Sequence, residues 1–132
     1  MSGFKGKFHR EHLCSRFTKD LVRRSRSRCE CCDQGGRQPS IYQVAPLPEE
    51  PSPDHALFLC ESCIKQIKNP KKMNPHNWRC LTETVWSDLP PLQVISLRML
   101  RRLAARDEHW ASELLDQVVV NNAIDEWCDQ AT

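Results

Sequence analysis

Two pairs of cysteines constrain this chain more than any other feature. Cys29 and Cys32 form one CxxC pair, Cys60 and Cys63 form a second, and 27 residues separate them. A CxxC turn can bring two sulfurs to one metal ion while its backbone N–H groups point at those sulfurs. Two such turns complete a tetrahedral four-thiolate set. The first pair lies in RCECCDQGG, where a third cysteine opens two other frames, Cys29 with Cys31 and Cys31 with Cys32. Only Cys29 with Cys32 repeats the downstream spacing, so the expected ligands are Cys29, Cys32, Cys60 and Cys63. Cys31 then falls at the second x of the turn with its side chain directed away from the metal. Its ordinary role is packing or exposure; its less ordinary one is exchange with Cys32 under oxidation.

Four thiolates leave no open coordination position, so one zinc ion with a structural role is expected, its binding energy counted as folding energy. Reading both pairs as redox motifs does not explain why they flank one hairpin, and neither sits in a βαβ context. Arg28, Arg37 and Lys65 flank the pairs and can offset the negative charge of a zinc–tetrathiolate centre. The eight cysteines of the chain suit a reducing compartment, where paired cysteines are metal ligands more often than disulfides. No apolar run approaches a membrane span, and no apolar stretch follows the first basic residues as in a secretory signal. The expected location is the cytoplasm, with no membrane partner. Cys14, Cys80 and Cys128 read as small buried apolar residues. His76, four residues before Cys80, is the only local base a Cys80 nucleophile would have. The five histidines read as surface or capping residues.

The order of local patterns gives the fold class. Residues 8–27 carry Phe8, Leu13, Phe17 and Leu21 at near-helical spacing. SIYQVAP (40–46) and ALFLC (56–60) read as strands, with the proline-rich LPEEPSPDH (47–55) as the loop between them. ESCIKQIKN (61–69) turns helical and stops at Pro70. TETVWSDL (82–89) is a short helix with Thr82 as its expected cap. PLQVISLRMLRRLAARD (91–107) is the strongest helix: Leu92, Ile95, Ser96, Met99, Leu100, Leu103 and Ala104 share one face, with Arg98, Arg101, Arg102 and Arg106 largely off it. Helices are expected over 108–118 and 121–130, the last capped by Asn121 or Asn122. The expectation is a small α+β protein: a four-cysteine zinc finger of treble-clef or zinc-ribbon type, built on a two-stranded hairpin, packed against a mostly helical C-terminal half. It divides into a basic helical extension (1–27), the four-cysteine module (28–70) and a helical region (71–132).

Charge is unevenly spread. Residues 1–28 carry nine Lys or Arg against two acids, while the rest of the chain is net acidic. A basic arm on an acidic body fits an anionic partner, nucleic acid or an acidic protein surface, although a solvated helix face has the same composition. The candidate contacts are Arg23, Arg24, Arg26, Arg28 and Arg37, with Tyr42 beside them. Nothing here specifies an oligomeric state.

Over residues 27–103 the chain resembles the PhnA family, named for an alkylphosphonate-utilisation operon. The marks are the first CxxC pair, YQVAP, LCESCIKQI, HNWRCL, VWSDLPPLQV and RMLRRL. The resemblance implies a zinc-binding N-terminal module followed by helices; the small all-β domain of longer members is not expected here. The family often has Gly directly after the first CxxC, where this chain has Asp33. The label of phosphonoacetate hydrolase sometimes given to the family implies an open metal site with Asp and His ligands, which these residues do not offer. A weaker resemblance, through SRSRCECC and LFLCESC, is to HNH endonucleases, which often carry their metal site on a four-cysteine frame. That family's catalytic positions read Tyr42-Gln43, Asp54-His55 and Ile64 here, without the histidine base. A non-catalytic binding module is therefore the expected function. The alternative is an enzyme, either a phosphonate-related hydrolase or an HNH-like nuclease.

Overall fold

The computed structural model describes residues 12–33 and 38–130. A two-stranded antiparallel sheet is placed between helices. Strand β1 (Ser40–Gln43) pairs with β2 (Ala56–Leu59) in the register Ser40–Leu59, Ile41–Phe58, Tyr42–Leu57 and Gln43–Ala56. Both strands are shorter than their apolar patterns. Beyond Gln43, one further bond, from Val44 N–H to the His55 carbonyl at 2.8 Å, holds the base of the long loop. In that loop Ser52 accepts from the Asp54 N–H at 3.1 Å and starts a 3₁₀ turn, Pro53–His55, that leads into β2.

All four residues of β2 are buried, and the alternation of side chains along a strand explains why. Leu57 and Leu59 face the main core, with Val44, Trp78, Leu81 and the long C-terminal helix. Ala56 and Phe58 face a second, smaller cluster with Cys14, Phe17 and Leu21. A strand covered on both faces reads as a continuous apolar run, as ALFL does.

The second cluster is built by the N-terminal helical segment. The helix expected over 8–27 lies partly outside the described residues. Within them it is broken: residues 12–15 are helical, Arg16 and Phe17 form a turn, and α1 runs Thr18–Ser25. The break tightens the chain through i to i+3 bonds from Arg16 to Leu13 and from Phe17 to Cys14, both 3.2 Å. It leaves Cys14, Phe17 and Leu21 on the buried side.

After β2 comes α2 (Glu61–Lys68), which buries Cys63, Gln66 and Ile67. Gln66 is a buried polar residue with its groups satisfied. Its carbonyl accepts from the Trp78 indole N–H and the Asn74 N–H, both at 2.8 Å, and its amide donates to Ser62 at 3.1 Å. The short helix α3 covers only Leu81–Thr84, not 82–89. Thr82 does not cap it; its hydroxyl donates to the Arg79 carbonyl at 2.9 Å, and Cys80 holds the cap position. The chain then turns at Ser87, whose hydroxyl accepts from the Leu89 N–H at 3.0 Å.

Helix α4 (Pro90–Ala105) starts on two prolines, whose fixed φ and missing N–H suit a first turn. It buries more than the one expected face: Pro91, Val94 and Leu97 join Leu92, Ile95, Ser96, Met99, Leu100 and Leu103, while Ala104 is only partly buried. The helix is packed by α5 (His109–Gln117), α6 (Asn122–Gln130), α3 and β2 together. Ser96 lies in this core with its hydroxyl bonded to the Leu92 carbonyl and to Thr84, both at 2.7 Å. The arginines of α4 fasten its neighbours. Arg98 donates to the Trp127 carbonyl at 2.6 Å, Arg101 pairs with Asp125 and Asp129, and Arg102 donates to the Ile67 carbonyl at 2.7 Å. Asn121 caps α6, its side chain accepting from the Ile124 N–H at 2.9 Å. No helix among the described residues is long and apolar enough to cross a membrane.

Candidate metal centre

The two CxxC turns meet at the end of the hairpin. The first precedes β1. The second begins at the end of β2, with Cys60 in the cap position of α2 and Cys63 in its first turn. The Sγ atoms of Cys29, Cys32, Cys60 and Cys63 all lie within 4.8 Å of one another. Cys29 and Cys63 are 3.7 Å apart, and so are Cys32 and Cys60. Each close contact thus joins one turn to the other. Cys29, Cys60 and Cys63 are buried and Cys32 is half-buried. The Cys32 N–H points at the Cys29 sulfur at 3.5 Å, as a CxxC turn requires. Asp33 closes the turn with its N–H on the Cys29 carbonyl at 2.9 Å and a left-handed φ of 59°. This is a conformation glycine takes freely and aspartate tolerates better than most residues.

Glu30, the first x of the turn, fixes this arrangement to the sheet. Its N–H donates to the Phe58 carbonyl and its carboxylate accepts from the Phe58 N–H, both at 2.8 Å. Its side chain is only 5% exposed, and the Arg24 guanidinium grips both carboxylate oxygens at 2.8 Å. Arg24 also donates to the carbonyls of Pro53 (3.1 Å) and Ala56 (2.8 Å). One guanidinium thus ties α1, the first cysteine turn and β2 together. Two cysteines come from a turn held against β2 and two from the continuation of β2, which is why they converge.

The bare thiols already share protons unequally. Once ionised, Cys29 accepts a hydrogen bond from the Cys63 thiol, and this outweighs burial to bring Cys29 down to about 5. The same bond pushes Cys63 far up. Cys31 behaves like Cys29. Bonds from Cys63 and then Cys80 lower it to about 6, while Cys80 is pushed far up, first by its bond to Cys31 and then by burial. A cluster of thiols that favours partial ionisation suits a thiophilic cation.

Cys31 departs from expectation. It is buried, 3% exposed, and it abuts Cys63 instead of turning wholly away from the four-sulfur group. Its sulfur lies 3.7 Å from that of Cys80, and Cys80 in turn contacts the Asn77 carbonyl at 3.7 Å. The partner of Cys80 is thus a cysteine 49 positions earlier, while His76 is exposed. Cys14 and Cys128 are buried apolar residues as expected, the latter with its thiol against the Val94 carbonyl.

The basic candidates separate into different roles. Arg24 is committed to Glu30 and two carbonyls. Arg23 and Arg26 are exposed and, with Lys19, line a shallow open groove along α1. Arg28 is exposed and reaches toward Asp33 at 3.8 Å. Arg37 lies outside the described residues. Tyr42 packs against the main core, where burial raises its phenol, so it does not belong to an exposed basic surface. Lys65, expected to offset the cluster's charge, pairs instead with Glu61 at 3.0 Å on the surface of α2. Lys19 was legible at four residues before Arg23, a spacing that puts both on one helix face.

Asp54 and His55 sit in the 3₁₀ turn at the start of β2, while Cys60 follows its end. A four-residue strand places them about 13 Å apart along the chain direction. The His55 ring packs on Trp127, with ring centres 4.7 Å apart, and the Trp127 indole donates to the Ala45 carbonyl at 3.0 Å. No family model, no curated protein and no solved structure matches this chain.

Proposed function

We propose that this chain is a non-catalytic binding module of the PhnA type, a treble-clef-like finger organised by one structural zinc ion and acting in the cytoplasm. The supporting observation is the convergence of four thiols from two turns within 4.8 Å. A tetrahedron with zinc–sulfur bonds of about 2.3 Å has edges of about 3.8 Å, and two of the sulfur pairs, at 3.7 Å, have that spacing. Cys29, Cys32, Cys60 and Cys63 would hold the ion and fill its coordination shell. A hydrolase or nuclease needs a position left for water or substrate. Of the acids adjacent to the cysteines, Glu30 is held by Arg24 and Glu61 by Lys65, and Asp54 and His55 lie at the far end of β2.

The partner we propose is nucleic acid, met by Lys19 and Arg23 on one exposed face of α1 and by Arg26 just past its end, which together line an open groove, with Arg28 nearby. Each phosphate contact releases counterions, so affinity falls as salt rises. Metal analysis of purified protein is expected to return one zinc per chain. Titration of labelled DNA or RNA against salt is expected to show a steep slope, lowered by roughly two to three in the variant K19Q/R23Q/R26Q. Absent or salt-independent binding would remove the nucleic-acid reading. Arg24 is excluded from that variant because its loss disturbs the fold.

A further inference from the structure

We infer that Cys31 and Cys80 form a thiol pair, separate from the four metal ligands, that closes to a disulfide under mild oxidation and locks the first cysteine turn to the entry of α3. Three observations carry this. The two sulfurs are 3.7 Å apart, so closing to the disulfide length of about 2.05 Å asks each to move by less than 1 Å. Neither belongs to the four-sulfur group. The pair also has one protected and one reachable member, since Cys31 is 3% exposed whereas Cys80 is half-buried.

That asymmetry sets the order of steps. Hydrogen peroxide, as the oxidant, meets the Cys80 thiol first. One peroxide oxygen is transferred to the sulfur, giving a sulfenic acid and releasing one water. The Cys31 sulfur then attacks the Cys80 sulfur, the S–O bond breaks, and the oxygen leaves as a second water with the remaining thiol proton. The two sulfurs have together lost two electrons and two protons to the peroxide. Cys32, the exchange partner the sequence suggests, is instead 3.7 Å from Cys60 within the four-sulfur group, where a bound cation would mask it. The product is a covalent tie across 49 positions, between the turn that supplies two ligands and the start of the helical half.

The test uses metal-loaded full-length protein treated with limiting peroxide, alkylated and digested without reduction. The expected result is a cross-linked peptide pair containing residues 31 and 80, with a loss of two hydrogen masses and unchanged metal content. The link is expected to vanish in both C31S and C80S, with the same metal content and far-ultraviolet spectrum as the parent. Two outcomes overturn the inference. One is early linkage among Cys29, Cys32, Cys60 and Cys63 with parallel release of metal. The other is loss of metal from untreated C31S, which would make Cys31 a ligand. If C31S does not fold, C80S and C80A carry the same comparison from the more exposed side. The proposal does not depend on nucleic-acid binding, and it stands if a different thiophilic metal occupies the centre.

Discussion

Between Arg24 and Cys63 the chain is fastened by groups aimed at one another: four sulfurs, a buried carboxylate and the guanidinium that grips it. Between Leu81 and Cys128 it is fastened by apolar surface, with α4 buried against three helices and a strand. The two regions share one continuous core through Leu57, Leu59, Ile67 and Trp78, yet their cohesion differs in kind. A short hairpin with a proline-rich loop has too little apolar surface to fold alone. On the proposed function, a metal ion held by the four cysteines would supply what the sheet lacks, whereas the helices are packed by apolar surface. The difference teaches that one core can have two independent points of failure.

The largest effect is expected from the metal. Cys60→Ser, or chelation of the wild type, should lose the ion and unfold the hairpin region, since structural zinc sites contribute about 10 kcal/mol or more of apparent binding energy. Amide exchange is expected to rise first at residues 29–63 and later in α4; simultaneous loss in both regions would break the comparison. Next comes Leu100→Ala, which empties a fully buried site in the helical half. It should cost about 3 kcal/mol, read as a lower denaturation midpoint with metal content unchanged. Arg24→Ala should cost about 2–3 kcal/mol, because the Glu30 carboxylate stays buried without its cation. Its exchange signature should be confined to α1, the first cysteine turn and β2. The smallest change is Asn121→Ala, which removes the cap of α6 and should cost about 1 kcal/mol, visible as faster exchange at the start of that helix alone.

What the sequence made legible was whatever depends on near neighbours. The CxxC spacing identified the four sulfurs that meet, ALFLC marked a buried strand, and the apolar stripe of 91–107 marked the central helix. What it hid depends on distant ones. Arg24 looks like any member of a basic run, because its use is decided by Glu30, Pro53 and Ala56, which local charge cannot reveal. Cys80 looks solitary because its partner is 49 positions away. The extra buried positions of α4 follow from its being covered on several sides, whereas a helical stripe reports only the most apolar side. Thr82 failed as a cap because its hydroxyl found the Arg79 carbonyl instead, a competing bond that threonine offers at any helix start. Asp33 closes the first cysteine turn because aspartate also reaches the left-handed region.

Glu30 has one more consequence. In an isolated hairpin each strand has an unpaired side, whose N–H and C=O groups are a template for another chain. On β2 that outer side is met at Phe58 by Glu30, whose N–H and carboxylate stand in for the next strand. The turn that contributes two of the four clustered cysteines is thus also the guard of the more apolar of the two strands among the described residues. If an ion holds that turn as proposed, its loss would free the turn and uncover ALFL to other copies of the same chain, so demetallation and self-association would be linked through a single side chain.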